Sequence, residues 1–418
     1  MDTNTNTAMK IFNAVNENIN KGNWPLAIEI LFSLCLKAVK SSAGKAELVL
    51  HDLEYYSKNL ATLLAKEFPI SPRLIGFDKP ANVYLVTEIY QSGGHGRHLE
   101  YLIKSRPDER HIVLFTGALE NNRDFNISQC LKMGAFPILP SKDLVLFDKL
   151  LWLREKIHAF TFIRLLALHH PEDILAALVL HEIAPKKTRH LYVIHHADTV
   201  GSIGIELENA AHIAIRDEQF DTLKNYFVKD VFLLPLAYDP QDFFPKDIAN
   251  NYDGAVNKSK SDFITTATCG GSHKFKSHGD LGLPKVLSAV LHSTWGKHIH
   301  IGHTSAEFRQ AIYEELKNNN IPNDRITFIE EVNSVAKSML DHNVSLFLSS
   351  FPIGGGLTIV EAAYAGIPIA VFSGAKNQKA KYLAGTSHAP RESLLWKNLN
   401  SLQEELVKLR GSSGNKIL

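Results

Sequence analysis

From Asn82 onward, short β-branched runs alternate with amphipathic stretches, and one polar interruption splits the alternation into two similar series. The first reads VYLVTEIY, a helix from Arg97, HIVLFTG, AFPILP, a helix from Leu144, IRLLALHH, a helix from Glu172, LYVIHH, HIAIR, a helix from Glu218 and VFLLPLA. The second reads FITTATCGG, a helix from Leu283, HIHIG, a helix from Ala306, ITFIE, a helix from Ser334, VSLFLSS, a helix from Leu357 and IPIAVF. Strands separated by helical patterns of about 10–15 residues indicate βαβ units around a parallel sheet. The expectation is an α/β chain with two Rossmann-like, doubly wound domains facing each other across a cleft. The segment from Asp239 to Asp262 breaks the pattern with Pro, Gly, Asn and Ser, and reads as a linker. The boundaries drawn from this texture are a helical N-terminal extension over 1–78, a first Rossmann-like domain over 79–240, a linker over 241–261, a second domain over 262–385 and a helical tail over 386–418.

The helical reading of the N-terminal stretch rests on apolar residues three and four apart. Ile28, Ile30, Leu31, Leu34 and Leu36 fit one helix, and Leu48, Leu50, Leu53, Tyr56, Leu60 and Leu63 fit another. The most apolar early run, Pro25 to Val39, contains Glu29 and Lys37 and falls short of the ~20 apolar residues a membrane span needs. The first residues also lack a basic stretch leading into an apolar core, so no secretory signal is read there.

Charge narrows the partners. Forty-five Lys and Arg against forty-four Asp and Glu leave +1, too weak a field to hold a nucleic-acid backbone without specific contacts. Hydrophobic residues at 45% and charged residues at 21% exclude a disordered or collagen-like chain. Cys35, Cys130 and Cys269 form no CxxC pair, which points to a reducing, cytoplasmic setting. The run Lys186, Lys187, Thr188, Arg189 reads as a solvated loop, with contact to an anionic lipid headgroup or glycan as the alternative.

In doubly wound sheets ligands bind beyond the carboxyl ends of the strands, so the chemistry is expected in post-strand loops. The loop after the first strand carries Gly93, Gly94, His95, Gly96 and Arg97 and opens a helix, an arrangement that lets backbone N–H groups meet a phosphate or an acceptor; a plain tight turn is the other reading. His169 and His170 end one strand, and His195, His196 and Asp198 end the next. Imidazole titrates near neutrality, so these groups suit a general base or hydrogen-bond donors, unless they serve the loop carbonyls alone. No metal site is expected, because His181-Glu182 does not begin an HExxH motif.

Two loops of the second series suit an anion. After its first strand come Gly270, Gly271, Lys274 and Lys276, small residues followed by ammonium groups that can neutralise a diphosphate. After VSLFLSS come Gly354, Gly355 and Gly356, and then a helix opened by Leu357 and Thr358 with Glu361 one turn in. The N–H groups at such a helix start point toward an anion, and Glu361 is placed to accept from a ribose hydroxyl.

The spacing PIGGGLTIVE, the loop carrying Lys274 and the segment LPLAYDPQDFFP resemble the nucleotide-sugar glycosyltransferases of the two-Rossmann GT-B type. The resemblance runs from about Asn82 to Phe372 and extends to glycosyltransferase family 4 and to the O-GlcNAc transferase and bacterial N-glycosyltransferase group. Ile353 stands where many retaining members of the family have a first Glu, so the stereochemical outcome stays open. The resemblance implies a metal-independent hexosyltransferase without a cofactor. Its second domain would hold a nucleotide-sugar, most readily a UDP-sugar, through Gly271, Lys274, Lys276, Gly354, Gly355, Gly356, Leu357, Thr358 and Glu361, with Phe328 and Glu331 bordering the base. Its first domain would hold a glycan, lipid-linked or protein acceptor, as in bacterial surface glycan or glycoprotein synthesis, with His196 or Asp198 as proton acceptor and His195 and His95 beside them. The implied setting is cytoplasmic, with peripheral contact at the inner membrane face as an option. A sugar-nucleotide epimerase of the same fold and an inactive binding partner are the alternatives.

Overall fold

The computed structural model describes residues 3–42, 49–71, 81–90, 94–119, 122–160, 162–186, 190–196, 200–207, 209–226, 230–235, 263–275, 281–330, 332, 334–374 and 389–412. They belong to two compact units, residues 1–235 and 236–418. The linker drawn over 241–261 lies outside the described residues.

In the first unit, β1 (Ala81–Val86), β2 (Arg110–Phe115), β3 (Phe136–Ile138), β4 (Phe162–Leu168), β5 (Leu191–Ile194), β6 (Ala211–Ala214) and β7 (Val231–Leu233) pair in parallel, in the order β3-β2-β1-β4-β5-β6-β7. Every residue of β1 is buried, as a central parallel strand with helices on both faces requires. The helices between strands are α4 (Gly94–Lys104), α5 (Arg123–Met133), α6 (Leu146–Ala159), α7 (Ile174–Ile183) and α8 (Asp217–Tyr226). Before the sheet come α1 (Thr3–Asn20), α2 (Trp24–Ser42) and α3 (His51–Glu67).

The sequence of α7, ILAALVLHEI, is apolar around nearly its whole circumference, and all ten residues are buried. Such a helix cannot lie on a sheet with one face in water. Helix α3 packs along it, and α2 contacts both α6 and α7, so the N-terminal helices complete the first unit's core.

The second unit repeats the plan. Strands β8 (Thr266–Cys269), β9 (His298–Ile301), β10 (Ile326–Ile329), β11 (Leu346–Leu348), β12 (Ile369–Phe372) and β13 (Leu394–Trp396) form a parallel sheet in the order β10-β9-β8-β11-β12-β13. Its helices are α9 (Leu283–Thr294), α10 (Ala306–Asn318), α11 (Val335–Asp341), α12 (Gly356–Tyr364) and α13 (Leu399–Ser412). Leu283, Leu287, Val290, Leu346, Phe351, Trp396 and Leu406 meet in one core.

Three elements depart from the sequence reading. Helix α1 precedes the two expected N-terminal helices. Helix α5 was hidden by its sparse apolar positions, but its ends are well made: Asn122 accepts from Phe125 N, and Gly134 closes it in the left-handed region at φ 80°. The tail expected to be helical contributes β13 as well, because Trp396 fills the second core and Leu394–Trp396 extends the sheet beside β12. The expected helix starts otherwise fall within about three residues of those observed, an ordinary spread for helix ends.

Candidate functional site

Strand order reverses direction between β1 and β4 in the first unit and between β8 and β11 in the second. In a doubly wound sheet that reversal opens a crevice at the carboxyl ends, because the connections leave to opposite faces. The loops flanking each reversal are the ones the sequence singled out.

In the second unit β8 ends at Cys269, and Gly270 turns the chain with φ 141° into a short helical turn over Ser272–Phe275. Gly270 N donates to Ile301 O at 2.8 Å, and Gly302 lies so close that a Cβ on it would stand 2.7 Å from Gly270 O. This close approach folds the loop back and lays Lys274 over Gly270, whose added Cβ would meet Lys274 Cδ at 3.1 Å. The Lys274 ammonium then reaches the start of α12: a Cβ on Gly355 would lie 3.7 Å from Lys274 Nζ, 3.6 Å from Ser350 Oγ and 2.6 Å from Thr358 Oγ1. Lysine and helix start thus share one small space that only a glycine at 355 leaves open.

Polar atoms in this region lack partners. Thr358 Oγ1, Ser349 Oγ and His300 Nε2 are buried without a hydrogen bond. Buried polar groups are nearly always satisfied, so Thr358 Oγ1, beside Gly355 at the start of α12, has hydrogen-bonding capacity to spare. Among the described residues Lys274 forms no ion pair either, which leaves its charge and the dipole of α12 acting together on whatever enters. Cys269 is no nucleophile: burial pushes its thiol up to about 12.

Glu361 is 4% exposed, and its Oε2 accepts from Ala336 N at 3.0 Å, so it also caps α11. Phe328 sits at the end of β10 with the Arg309 guanidinium 5.1 Å from its ring and the His300 ring 5.9 Å away. Gly271, Gly354, Gly356 and Leu357 are partly exposed along the two loops. Lys276 and Glu331 lie outside the described residues.

In the first unit the post-strand loops carry imidazoles. The His95 and His196 ring centroids are 4.4 Å apart, His95 and His170 5.4 Å, and His170 and His196 6.4 Å. His95 comes from the start of α4, His170 follows β4 and His196 follows β5, so three loops converge at one spot. His95 Nε2 donates to Leu168 O at 2.7 Å, which fixes the neutral tautomer and leaves Nδ1 as a bare, buried acceptor. His170 lies under the half-exposed Tyr90 ring at 4.8 Å, with Tyr90 Oη 3.2 Å from its Nδ1, and its Nε2 is buried without a partner.

Burial lowers the His95 pKa to about 4 against a raising effect of the Leu168 carbonyl. Burial, with His95 and His169 adding to it, lowers His170 to about 3, and the same causes hold His196 well below its ordinary value. At neutral pH the cluster is uncharged and presents lone pairs. Below it, Asp173 locks the strand ends: its Oδ2 accepts from Thr87 and Thr116 hydroxyls at 2.6 Å each, and its Oδ1 caps α7 through Ala176 N.

The other expected residues divide. His195 is committed elsewhere, its Nε2 3.0 Å from His212 Nδ1 and its carbonyl held by Gln219, and it is 6% exposed. Its neighbour His196 lies just past the end of β5, where its N donates back to Ile194 O at 2.9 Å, and its ring faces His95 instead. Gly96 packs against Ile89 and Arg97 pairs with Glu100 at 3.4 Å, while Gly94 has open space around it. Gly93 and Asp198 lie outside the described residues. His170, one of the strand-end histidines singled out from the sequence, joins the cluster, and so does Tyr90, which no sequence pattern marked. Among the described residues no group of three or more His, Cys, Asp or Glu is arranged to hold a metal.

No protein-family model matches the chain, and no curated protein does. Solved structures do. A mutant of the Thermobaculum terrenum O-GlcNAc transferase superposes with TM-score 0.54 at 11% identity, over 97% of this chain and 78% of that one. Anabaena Alr3699/HepE in complex with UDP gives TM-score 0.56 at 10% identity, over 80% of this chain and 90% of that one. The lipopolysaccharide outer core galactosyltransferase WaaB in its apo form gives 0.53 at 12% identity, over 79% and 90%. The shared feature at these identities is the fold: the chain has the two-Rossmann GT-B architecture.

Proposed function

We propose that this GT-B-fold chain is a glycosyltransferase that takes a sugar from a nucleoside-diphosphate donor, with a uridine nucleotide as the first choice. The observation that carries the reading is the junction of Lys274 with the start of α12, where Gly355 leaves room beside Thr358 Oγ1 and the Lys274 ammonium. A pyrophosphate there would accept from the amides at the helix start and from Thr358, and the lysine would neutralise its charge. The UDP carried by the Anabaena protein of the same fold supports uridine.

Departure of a nucleoside diphosphate builds negative charge on the leaving oxygen. Amides and an ammonium fixed in advance stabilise that charge without reorganising, which is the larger part of what such a site can contribute. Glu361, already held through Ala336 N, is placed one turn into the helix to orient the ribose. Phe328 with Arg309 offers a flat, cationic surface for the base.

The histidine cluster serves the acceptor. His95 and His170, with pKa values lowered to about 4 and 3, are poor final resting places for a proton at pH 7. The bare Nδ1 of neutral His95 orients an acceptor hydroxyl by accepting its hydrogen bond, with His170 beside it, and the proton passes to water. His196 shares this role.

The test is incubation with a panel of nucleotide sugars followed by mass spectrometry. Release of nucleotide together with free or transferred sugar supports the reading. An isomerised donor would replace it with an epimerase, and intact donors throughout would leave a binding protein.

A further inference from the structure

The helices that precede the first sheet are fastened to the segment following β5, and the fastening continues to the histidine cluster. Glu54 on α3 has a side chain 0% exposed. Its Oε1 accepts from Ile205 N at 2.6 Å and Glu206 N at 2.9 Å, and its Oε2 lies 2.7 Å from His181 Nε2. Around it, Ser42 Oγ accepts from Gly201 N at 2.8 Å, Leu50 N donates to Ser202 O at 3.2 Å and His51 meets the Glu206 carboxylate at 2.7 Å.

The far side of the same segment grips the loop after β4. His169 Nε2 donates to Ile203 O at 2.8 Å, and Ile203 N donates to Pro171 O at 3.0 Å. Gly204, at φ 71°, fits so closely that a Cβ would stand 2.7 Å from Ala177 Cα and 3.1 Å from His169 Nε2. Residues 200–207 are therefore held between α3 and the loop bearing His169 and His170. This stretch is also the continuation of the chain that has just placed His196.

A buried carboxylate is a costly way to pack two helices together, since apolar residues of the same size commonly do as well or better. What it supplies is direction: two amides converge on one oxygen, which fixes the path of the backbone at Ile205 and Glu206. Burial pushes the Glu54 carboxyl toward a higher pKa, but the hydrogen bonds from His181 and the two amides outweigh it and hold the group below its ordinary value.

We propose that Glu54 is a positioning residue for the acceptor site, acting through residues 200–207 to hold His169 and, beside it, His170 in the cluster with His95 and His196. The proposal rests on the transferase reading only for its kinetic consequence. The experiment uses the full chain with Glu54→Ala and with Glu54→Gln, which keeps an acceptor oxygen for the two amides. Four readouts are taken: hydrogen exchange, the His169 ring N–H resonance, UDP affinity and turnover.

For Glu54→Ala, exchange in 200–207 is expected to rise by about tenfold or more while 283–294 in the second unit is unchanged. The His169 Nε2–H resonance is lost, UDP binds within about twofold of the wild type, and turnover falls by about tenfold. Glu54→Gln recovers most of each effect. Where Glu54→Ala does not fold, Ser42→Ala, which removes only the hydroxyl receiving Gly201 N, is expected to move 200–207 and His169 in the same direction. Exchange rising equally in both units, an unchanged His169 resonance, or loosened residues 200–207 with unchanged turnover overturns the proposal. A wild type that transfers no sugar defeats the transferase reading instead, and the exchange and His169 readouts then decide the clamp by themselves.

Discussion

The two units share one plan and use it oppositely. Both are parallel sheets whose strand order reverses beside the unit's first strand, the place where doubly wound sheets take their ligands. In the second unit the flanking loops are built from Gly270, Gly355 and Lys274, so the crevice presents amides and positive charge. In the first, the corresponding loops bring His95, His170 and His196 together, uncharged, with His95 Nδ1 and His170 Nε2 buried and without a partner. The topology sets where a ligand binds, and the side chains of the loops around the reversal set its chemistry. On the proposed reading the second unit takes the anion and the first a neutral hydroxyl.

The sharpest break of this contrast is Gly355→Val. Its branched side chain would enter the space next to Thr358 Oγ1, where even a Cβ comes to 2.6 Å, and UDP affinity by calorimetry is expected to fall on the order of a thousandfold. Lost affinity of less than tenfold would remove the anion from this turn. His196→Ala probes the other crevice: turnover is expected to fall by about a hundredfold with UDP affinity unchanged. If both quantities fell together, the division of labour between the units would be wrong.

Lys274→Met keeps the bulk over Gly270 and removes the charge. A charge-assisted hydrogen bond contributes about 1.5–3 kcal/mol, so UDP should bind roughly 10- to 100-fold more weakly, with a reduced dependence on salt. Equal affinity in the variant would assign the diphosphate to the helix start alone.

The smallest effect is on stability in acid. His95, His98, His170, His195, His196 and His212 all have lowered pKa values in the first unit, against His298 and His300 in the second. Between the ordinary value of 6.5 and a folded value of about 4, the unfolded chain binds more protons than the folded one. The stabilisation is thus complete above pH 6.5 and lost as the pH falls toward 4. Hydrogen exchange followed separately in 81–115 and 283–301 should show the first unit loosening over this range ahead of the second. Simultaneous loosening would mean that these imidazoles are less shielded than their burial indicates.

Much of this was legible in the sequence because it is carried by short-range pattern. The apolar runs and their spacing located most strands and helices, and the three glycines before Leu357 marked a turn open to a ligand. Patterns of that kind fail where an element is defined by its ends, as α5 is by Asn122 and Gly134, or by one core residue, as β13 is by Trp396. The histidine cluster was half legible. Its members sit at strand ends, but only the sheet order brings the loops after β1, β4 and β5 together, and only the turn past β5 separates His196, beside His95, from His195, beside His212. The Glu54 clamp was not legible at all, since it joins residues about 150 apart through backbone amides.

The central claim is that a diphosphate occupies the space shared by Lys274 and the start of α12, and crystals soaked with UDP test it most directly. The account predicts phosphate oxygens within hydrogen-bond distance of Lys274 Nζ, Thr358 Oγ1 and the amides of residues 356–358. UDP lodged away from that turn, or a Lys274 ammonium closed onto Thr358 with nothing between them, would contradict it.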